Sequence, residues 1–191
     1  DVIRDIESYD ITTVRASVGN WMVAREIRRC TDCKVVFNGD GSDEVFGSYL
    51  HFFRAPDNES FEEEVRRLLS DIHLYDVLRS DRSISSHGLE PRTPFLDTEF
   101  VNVALSVATK MRRPVQPNME KWILRTAFDN TGLLPNDVLW RRKEAFSDGV
   151  SAATKSWYQE IQERVELGGI ELSQKEFAHL PPHTTEARYY R

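Results

Sequence analysis

At 191 residues the chain is long enough for one domain with its own core, and 40% hydrophobic with 29% charged residues places it with soluble globular proteins. A net charge of −6 without a long basic run argues against a general nucleic-acid binder. No apolar run approaches the length needed to span a membrane, so neither nucleic acid nor membrane is expected as a partner. Positions 1–9 read as the end of a helix, and 17–29 as a helix whose Val18, Trp21, Met22 and Ile27 form a mixed apolar face. Cys30 and Cys33 form a CxxC that closes this helix. Without a second pair or nearby histidines it reads as two reduced thiols in a connector, which suits a cytoplasmic chain. "KVVFN" (Lys34–Asn38) reads as a short parallel strand buried on both faces, whose partners are expected upstream. Helix is expected over 43–53, with a break at Pro56 and Asn58, and again over 60–79, where Phe61, Val65, Leu68, Leu69 and Ile72 recur at helical spacing. "GLEPRTPFLD" is a loop ending in Asp97, the cap of a helix over 98–108. Further helices are expected over 118–129, from Pro135 to near Trp140, and over 150–167, where Gly168–Gly169 stop the chain. "RRKEAFSDGV" is read as a loop and 168–191 as an irregular tail. The opening Asp1 and the ending "EARYYR" are read as the limits of a piece of a longer chain.

"VVFNGDGSDEVFG" (Val35–Gly47) carries the chemistry. Strand, glycine turn and helix is the arrangement in which many folds hold a phosphate, yet this turn bears Asp40, Asp43 and Glu44. A P-loop fails for want of its GK[ST] ending, and the dinucleotide fingerprint fails because Glu44 stands at its third glycine. A calcium loop starting at Asn38 fails because Asp43 occupies its required glycine. What remains is a turn in which Gly39 and Gly41 allow close approach by a ligand. Its carboxylates repel a bare polyphosphate and welcome one carried on Mg²⁺. A cluster of first-turn residues, Ser42, Asp43 and Glu44, that merely starts a helix fits the same letters, and both readings stand at this point.

"NGDGSDEVFGSYLHFFRAP" resembles the "SGEGSDE-(V/I)FGGY" signature of the C-terminal domain of class B, glutamine-using asparagine synthetases. "DITTVRAS" (Asp10–Ser17), "EPRTPFLD" (Glu90–Asp97), "MEKWILR" (Met119–Arg125) and "RRKEAFSDGV" (Arg141–Val150) resemble later blocks of that family in the same order. The resemblance implies an α/β, adenine-nucleotide α-hydrolase-like (PP-loop ATPase) synthetase domain. Residues 1–167 would be its C-terminal part, mostly helical with one or few parallel strands, while the pyrophosphate loop and an N-terminal glutaminase domain lie elsewhere. It implies that aspartate attacks the α-phosphate of ATP, expelling pyrophosphate, and that ammonia from glutamine then displaces AMP to give asparagine. A second copy of the chain is carried as a candidate partner.

On that resemblance Asn38, Gly39 and Gly41 line ATP, and Asp43 helps hold Mg²⁺–pyrophosphate. Asp40 matches a glutamate used in forming and consuming the acyl-adenylate, and Lys143 a lysine beside the α-phosphate. Arg15 matches an arginine facing substrate or pyrophosphate, with Thr12 and Thr13 as neighbouring hydroxyls. Read singly, Arg15 is equally a surface ion pair and Lys143 a solvated loop lysine. Arg92 and Asp97 read as a loop brace and a helix cap, and Glu120 and Lys121 as an exposed helix start. Three departures stand out. Asn38 replaces the family's usual serine, Asp40 its glutamate, and Ser48 its glycine. In the related β-lactam-forming enzymes a tyrosine stands at position 40, so an acid there favours asparagine synthesis. Two other readings remain: a diverged member adenylating another carboxylate, and a catalytically dead binding or dimerisation module.

Overall fold

The computed structural model describes residues 1–114, 119–144, 155–168 and 177–191. In chain order the elements are α1 (Val2–Ile6), α2 (Ile11–Cys30), β1 (Val35–Phe37), α3 (Ser42–Val45), α4 (Asn58–Asp71), α5 (Asp76–Ser85), β2 (Glu90–Arg92), α6 (Thr98–Ser106), α7 (Thr109–Arg112), α8 (Trp122–Phe128), α9 (Asn136–Leu139), α10 (Trp157–Leu167) and α11 (Thr185–Tyr190). Single 3-10 turns occur at Leu50–Arg54, Ile72–Leu74 and Pro94–Leu96. The expectation of a mostly helical chain with few parallel strands holds. Contacts divide the chain into two units, one of residues 1–35, 79–90 and 144–191 and the other of 36–78 and 91–143.

In the first unit Asp10 caps α2 by accepting the Thr13 N–H at 2.8 Å, so this helix starts six residues before its sequence-based limit of 17. Ile6, Val14 and Tyr190 form its core, with Val2, Ile3, Tyr9, Ile11 and Val18 packed on it. Trp21 donates to Asp5 at 2.8 Å and Arg82 to the Ile6 carbonyl at 2.9 Å. The last residues, read as an irregular tail, include α11, which Thr184 caps through the Ala187 N–H. The Tyr190 hydroxyl donates to the buried Glu186 at 2.8 Å and accepts from Trp157 at 3.0 Å. Cys30 ends α2 and Cys33 follows in the connector; both are exposed, free thiols.

In the second unit Phe61 and Val65, four residues apart on α4, are fully buried with Phe52. Val45, Phe46 and Ala104 form an adjacent cluster with Leu69, Phe95, Phe100, Val101, Ile123 and Leu124. Arg112 is buried between them, ion-paired with Glu62 and donating to the Val107 carbonyl at 3.2 Å. Removing one member of such a pair leaves an uncompensated buried charge, so it ties α7 to α4.

Several boundaries differ from expectation for identifiable reasons. The single helix read over 43–53 is a four-residue α3 and a separate 3-10 turn, because Gly47 between them has φ +56. The helix read over 60–79 is α4, a 3-10 turn and α5. A ring nitrogen of His73 meets the Ser70 carbonyl at 2.9 Å, occupying an acceptor that a continuing helix would use. Asp97 caps α6 as read, accepting the Glu99 and Phe100 N–H groups. The helices read over 118–129 and 150–167 begin at Trp122 and Trp157; positions 118, 150–154 and 169 lie outside the described residues, as does the end of the "RRKEAFSDGV" loop.

The strand reading needs two corrections. The partner of β1 is downstream: the Glu90 N–H donates to the Lys34 carbonyl at 2.7 Å and the Asn38 N–H to the Arg92 carbonyl at 2.9 Å, a parallel register. Two prolines and a Glu-Pro-Arg sequence hid β2, since proline normally marks a loop. Second, β1 is not buried: Phe37 is 75% exposed. The described residues form a sheet of two strands, in which Val36 is half-buried and Val35 and Phe37 are exposed.

β1 leads into the turn 38–41, which the Pro94–Leu96 turn supports from below. Gly41 has φ +87, and a Cβ there would lie 2.3 Å from Leu96 Cδ2. Its glycine therefore serves packing, whereas a Cβ on Gly39 would meet nothing within 4 Å. Left-handed strain and overpacking together should make Gly41→Ala about 2–4 kcal/mol less stable. Urea denaturation of the full-length protein measures this, and a change below about 0.5 kcal/mol would show that the turn does not depend on the Leu96 contact.

Candidate active site

The turn is shaped by its own side chains. The Asn38 side-chain oxygen accepts the Asp40 N–H at 3.1 Å, an Asx turn that sends the chain sharply round Gly39. Asn38 thus acts first on the loop backbone. The space at Gly39 leaves this stretch of backbone open to a ligand.

Two of the turn's carboxylates, Glu44 and Asp43, separate into different roles. Glu44 is 3% exposed and points into the unit. Burial pushes its carboxyl above the ordinary 4.5, and the hydrogen bond it accepts from the Tyr49 hydroxyl opposes that rise. Burial likewise raises the Tyr49 hydroxyl, with the Glu44 charge adding to it. Glu44 is therefore an internal anchor and drops out of any ligand-facing set.

Asp43 faces two cations. Its Oδ1 lies 2.8 Å from Lys121 Nζ and its Oδ2 3.8 Å from Lys143 Nζ. Lys143 Nζ also sits 5.1 Å from the centre of the Tyr49 ring, a cation–π contact on the same tyrosine that Glu44 holds. Asp43 Oδ1 is buried and lacks a hydrogen bond, because the Lys121 contact falls outside hydrogen-bonding angles. Two ammonium groups meet this one carboxylate, so the acidic turn carries its own counter-charges.

The sequence reads Lys121 as an exposed helix start, and the structure overturns this. Its side chain is 19% exposed and its backbone is left-handed, φ 55 and ψ 31. That conformation, foreign to a helix interior, is why α8 begins only at Trp122. Arg125 holds the bend, donating to the Glu120 carbonyl at 2.8 Å and to the Leu139 carbonyl. Such a backbone costs on the order of 1–3 kcal/mol in a residue other than glycine, whereas a partly exposed ion pair returns about 1 kcal/mol or less. No local pattern in "MEKW" announces this; only the folded arrangement puts Lys121 on the acidic turn.

The remaining candidates lie on α2 of the first unit. Thr13 donates its hydroxyl to Asp10 at 2.8 Å as part of the helix cap, and Thr12 is exposed. Arg15 presents its guanidinium fork to both oxygens of Glu186, with Nε–Oε1 at 2.8 Å, and its carbon lies 5.5 Å from the Tyr158 ring centre. The hydrogen bond to Glu186, above all, pushes the Arg15 pKa up. Among the described residues no cluster of three or more His, Cys, Asp or Glu forms a cage for a metal ion. The buried Asp43 Oδ1, which lacks a hydrogen bond, fits a cation that brings phosphate oxygens with it.

The family model described as asparagine synthase matches residues 1–66 and 56–180. The chain belongs to the asparagine synthase family. It is 47% identical over 196 residues to the glutamine-hydrolysing asparagine synthetase of Rattus norvegicus, 45% over 195 residues to that of Homo sapiens and 44% over 195 to that of Gallus gallus. Each match covers 100% of this chain and 35% of the relative, so the chain spans about a third of the length of these proteins. The resemblance read from five ordered blocks is thereby borne out. In this member of the asparagine synthase family the blocks around Asp43, Lys121 and Lys143 fold onto one another within a single unit.

Tyr49 links the buried carboxylate to the site cation, and this sets a pH-dependent test. A carboxyl raised in the folded state contributes stability that is complete below its ordinary 4.5 and is lost as pH rises through the folded value. Tyr49→Phe removes the bond that limits this loss. We expect a destabilisation of about 1–3 kcal/mol at about pH 7 that shrinks towards about pH 4. Denaturation curves at the two pH values measure it, and an equal penalty at both would show that the Glu44 charge is not what Tyr49 stabilises.

Proposed function

We propose that this chain is part of the synthetase domain of an asparagine-forming amide ligase, with the PP-loop ATPase fold completed by sequence outside it. The reaction is adenylation of the aspartate side chain by ATP, releasing pyrophosphate, followed by attack of ammonia on the β-aspartyl-AMP to give asparagine and AMP. Glutamine, hydrolysed by an N-terminal domain of the same protein, is the ammonia source, in keeping with relatives that are glutamine-hydrolysing asparagine synthetases. The cytoplasm is the proposed location; among the described residues no helix is long and apolar enough to cross a membrane.

The observation that carries this reading is the placement of Asp43 between Lys121 and Lys143 beside an open glycine turn, in a member of the asparagine synthase family. Asn38, Gly39 and Gly41 form the backbone turn over which the nucleotide lies. Asp43 is the residue that would hold Mg²⁺ together with phosphate oxygens, and the metal would supply charge neutralisation to the leaving pyrophosphate. Lys143, propped on the Tyr49 ring, stabilises negative charge on the phosphoryl oxygens as the carboxylate attacks. Asp40 takes up the proton that ammonia loses when it forms the amide. Arg15, Thr12 and Thr13 are assigned to substrate or pyrophosphate on the family resemblance; Arg15 already holds a carboxylate bidentately, the geometry that role needs.

ATP–pyrophosphate exchange in the full-length protein, with ammonia absent, tests the reading. Exchange should require aspartate and Mg²⁺ and fall about 100-fold or more in Lys143→Ala. Exchange with another acid but not aspartate would mean a diverged substrate. None with any acid, from folded protein, would mean a dead module. Asp40 is one methylene shorter than the family's glutamate, and a displacement of about 1 Å costs roughly 100-fold, so Asp40→Glu should raise the rate of ammonia-dependent asparagine formation.

A further inference from the structure

We infer that Glu186 is a positioning residue of the proposed reaction: it fixes the Arg15 guanidinium so that the free edge of the fork is presented to a pair of anionic oxygens, carboxylate or phosphate. The inference rests on the assignment of Arg15 to substrate or pyrophosphate and deepens it. Arg15 on α2 and Glu186 on α11 belong to the same unit, and their burial is unequal: the Glu186 side chain is 2% exposed and that of Arg15 34%. The Glu186 carboxylate is fully engaged. Its Oε1 accepts from Arg15 Nε and from the Tyr190 hydroxyl, both at 2.8 Å, and its Oε2 accepts from Arg15 Nη2. The Tyr190 hydroxyl is held in turn by Trp157 at 3.0 Å, and the next residue, Tyr158, places its ring centre 5.5 Å from the Arg15 guanidinium. Both aromatics open α10, whose start is fixed by the capping box of Ser156 and Gln159.

This arrangement separates a support from a surface pair and from a stand-in for the ligand. A surface pair joins two exposed, flexible side chains, and here one partner is buried in a chain of bonds from Trp157 through Tyr190. A stand-in must leave when the ligand arrives. Glu186 could leave only by stranding the buried Tyr190 hydroxyl and giving up every donor it has. A guanidinium carries five N–H donors in one rigid plane, and Glu186 uses only the Nε–Nη2 edge. The Nη1–Nη2 edge offers a second bidentate match to carboxylate or phosphate. An arginine already held on one edge loses less rotamer freedom when it takes an anion on the other.

The deciding experiment is ATP–pyrophosphate exchange by the full-length protein, with aspartate, pyrophosphate and ATP varied separately and thermal unfolding read alongside. Glu186→Gln keeps the shape and loses the two-oxygen acceptor. It should raise the half-saturating concentration of one ligand class about tenfold or more. A rise for aspartate alone assigns the carboxylate to Arg15, and a rise for pyrophosphate and ATP without aspartate assigns the phosphate. In an Arg15→Lys background the same change should have less than about a twofold effect, because Glu186 acts through Arg15. Tyr190→Phe, which leaves the fork and removes the bond behind it, should raise the same constant about two- to fivefold, and it decides the matter if Glu186→Gln fails to fold. Unchanged constants, an equal rise for all three ligands, or an undiminished effect in the Arg15→Lys background overturns the inference. A fall in any constant also overturns it, since Glu186 would then be competing with the ligand. Any of these results with an exchanging wild type leaves the proposed reaction standing, whereas a folded wild type that exchanges with no acid overturns both.

Discussion

The second unit is organised around the carboxylate of Asp43. It stands at the start of α3, just after the glycine turn, and is met by Lys121 from the turn before α8 and by Lys143 from the stretch after α9. Three segments far apart in sequence therefore share one charge cluster. Ion pairs of this exposure add little stability by themselves. The shape must come from underneath, and it does: Val45 and Phe46 bury directly behind Asp43, packed with Ile123 and Leu124 directly behind Lys121. The apolar cluster supplies the free energy, and the charges occupy positions the cluster has already set.

A second buried layer fixes Lys143. Glu44, next to Asp43 in sequence, turns inward and takes the Tyr49 hydroxyl, and the ring of Tyr49 lies beneath the ammonium of Lys143. Consecutive acids thus face opposite ways from one short helix, one into the core and one towards Lys121 and Lys143. The buried one costs desolvation, which its raised carboxyl records. Ser48 adds a similar cost: its hydroxyl is buried without a hydrogen-bond partner among the described residues, at the place where the family usually carries glycine. Its N–H bonds the Asp43 carbonyl at 2.8 Å, so the backbone there is needed even though the hydroxyl is not.

The sequence made legible what depends on local chemistry or on ordered blocks. The Asp97 cap, the helical spacing of Phe61 and Val65, the closing CxxC and the family itself were all readable. What escaped depended on tertiary arrangement. β2 is spelled with a proline and two charged residues, and becomes a strand because β1 offers it carbonyls and N–H groups at the right spacing. Glu44 and Asp43 are equivalent as letters and opposite in the fold. Lys121 looked solvated because its backbone turns the wrong way for a helix start, and no single-residue propensity encodes that. Arg15 shows the converse. The family resemblance marked it for substrate or pyrophosphate, with an ion pair as the alternative, and the anion it meets is Glu186, from the segment read as an irregular tail.

An acidic turn at a phosphate site is coherent once the cations are counted. Alone, Asp40 and Asp43 would repel a triphosphate. With Lys121 and Lys143 folded onto Asp43, the turn is a balanced array in which each carboxylate–ammonium contact is long or poorly aligned. Such an array is stable enough to persist and weak enough to exchange. On the proposed reaction Asp43 would hold a metal carried on phosphate and Lys143 would meet the phosphate oxygens, so that both halves of the ligand would have partners. A purely basic turn would hold polyphosphate at every stage, product pyrophosphate included. On the proposed reaction an acid at position 43 would instead make binding depend on the metal.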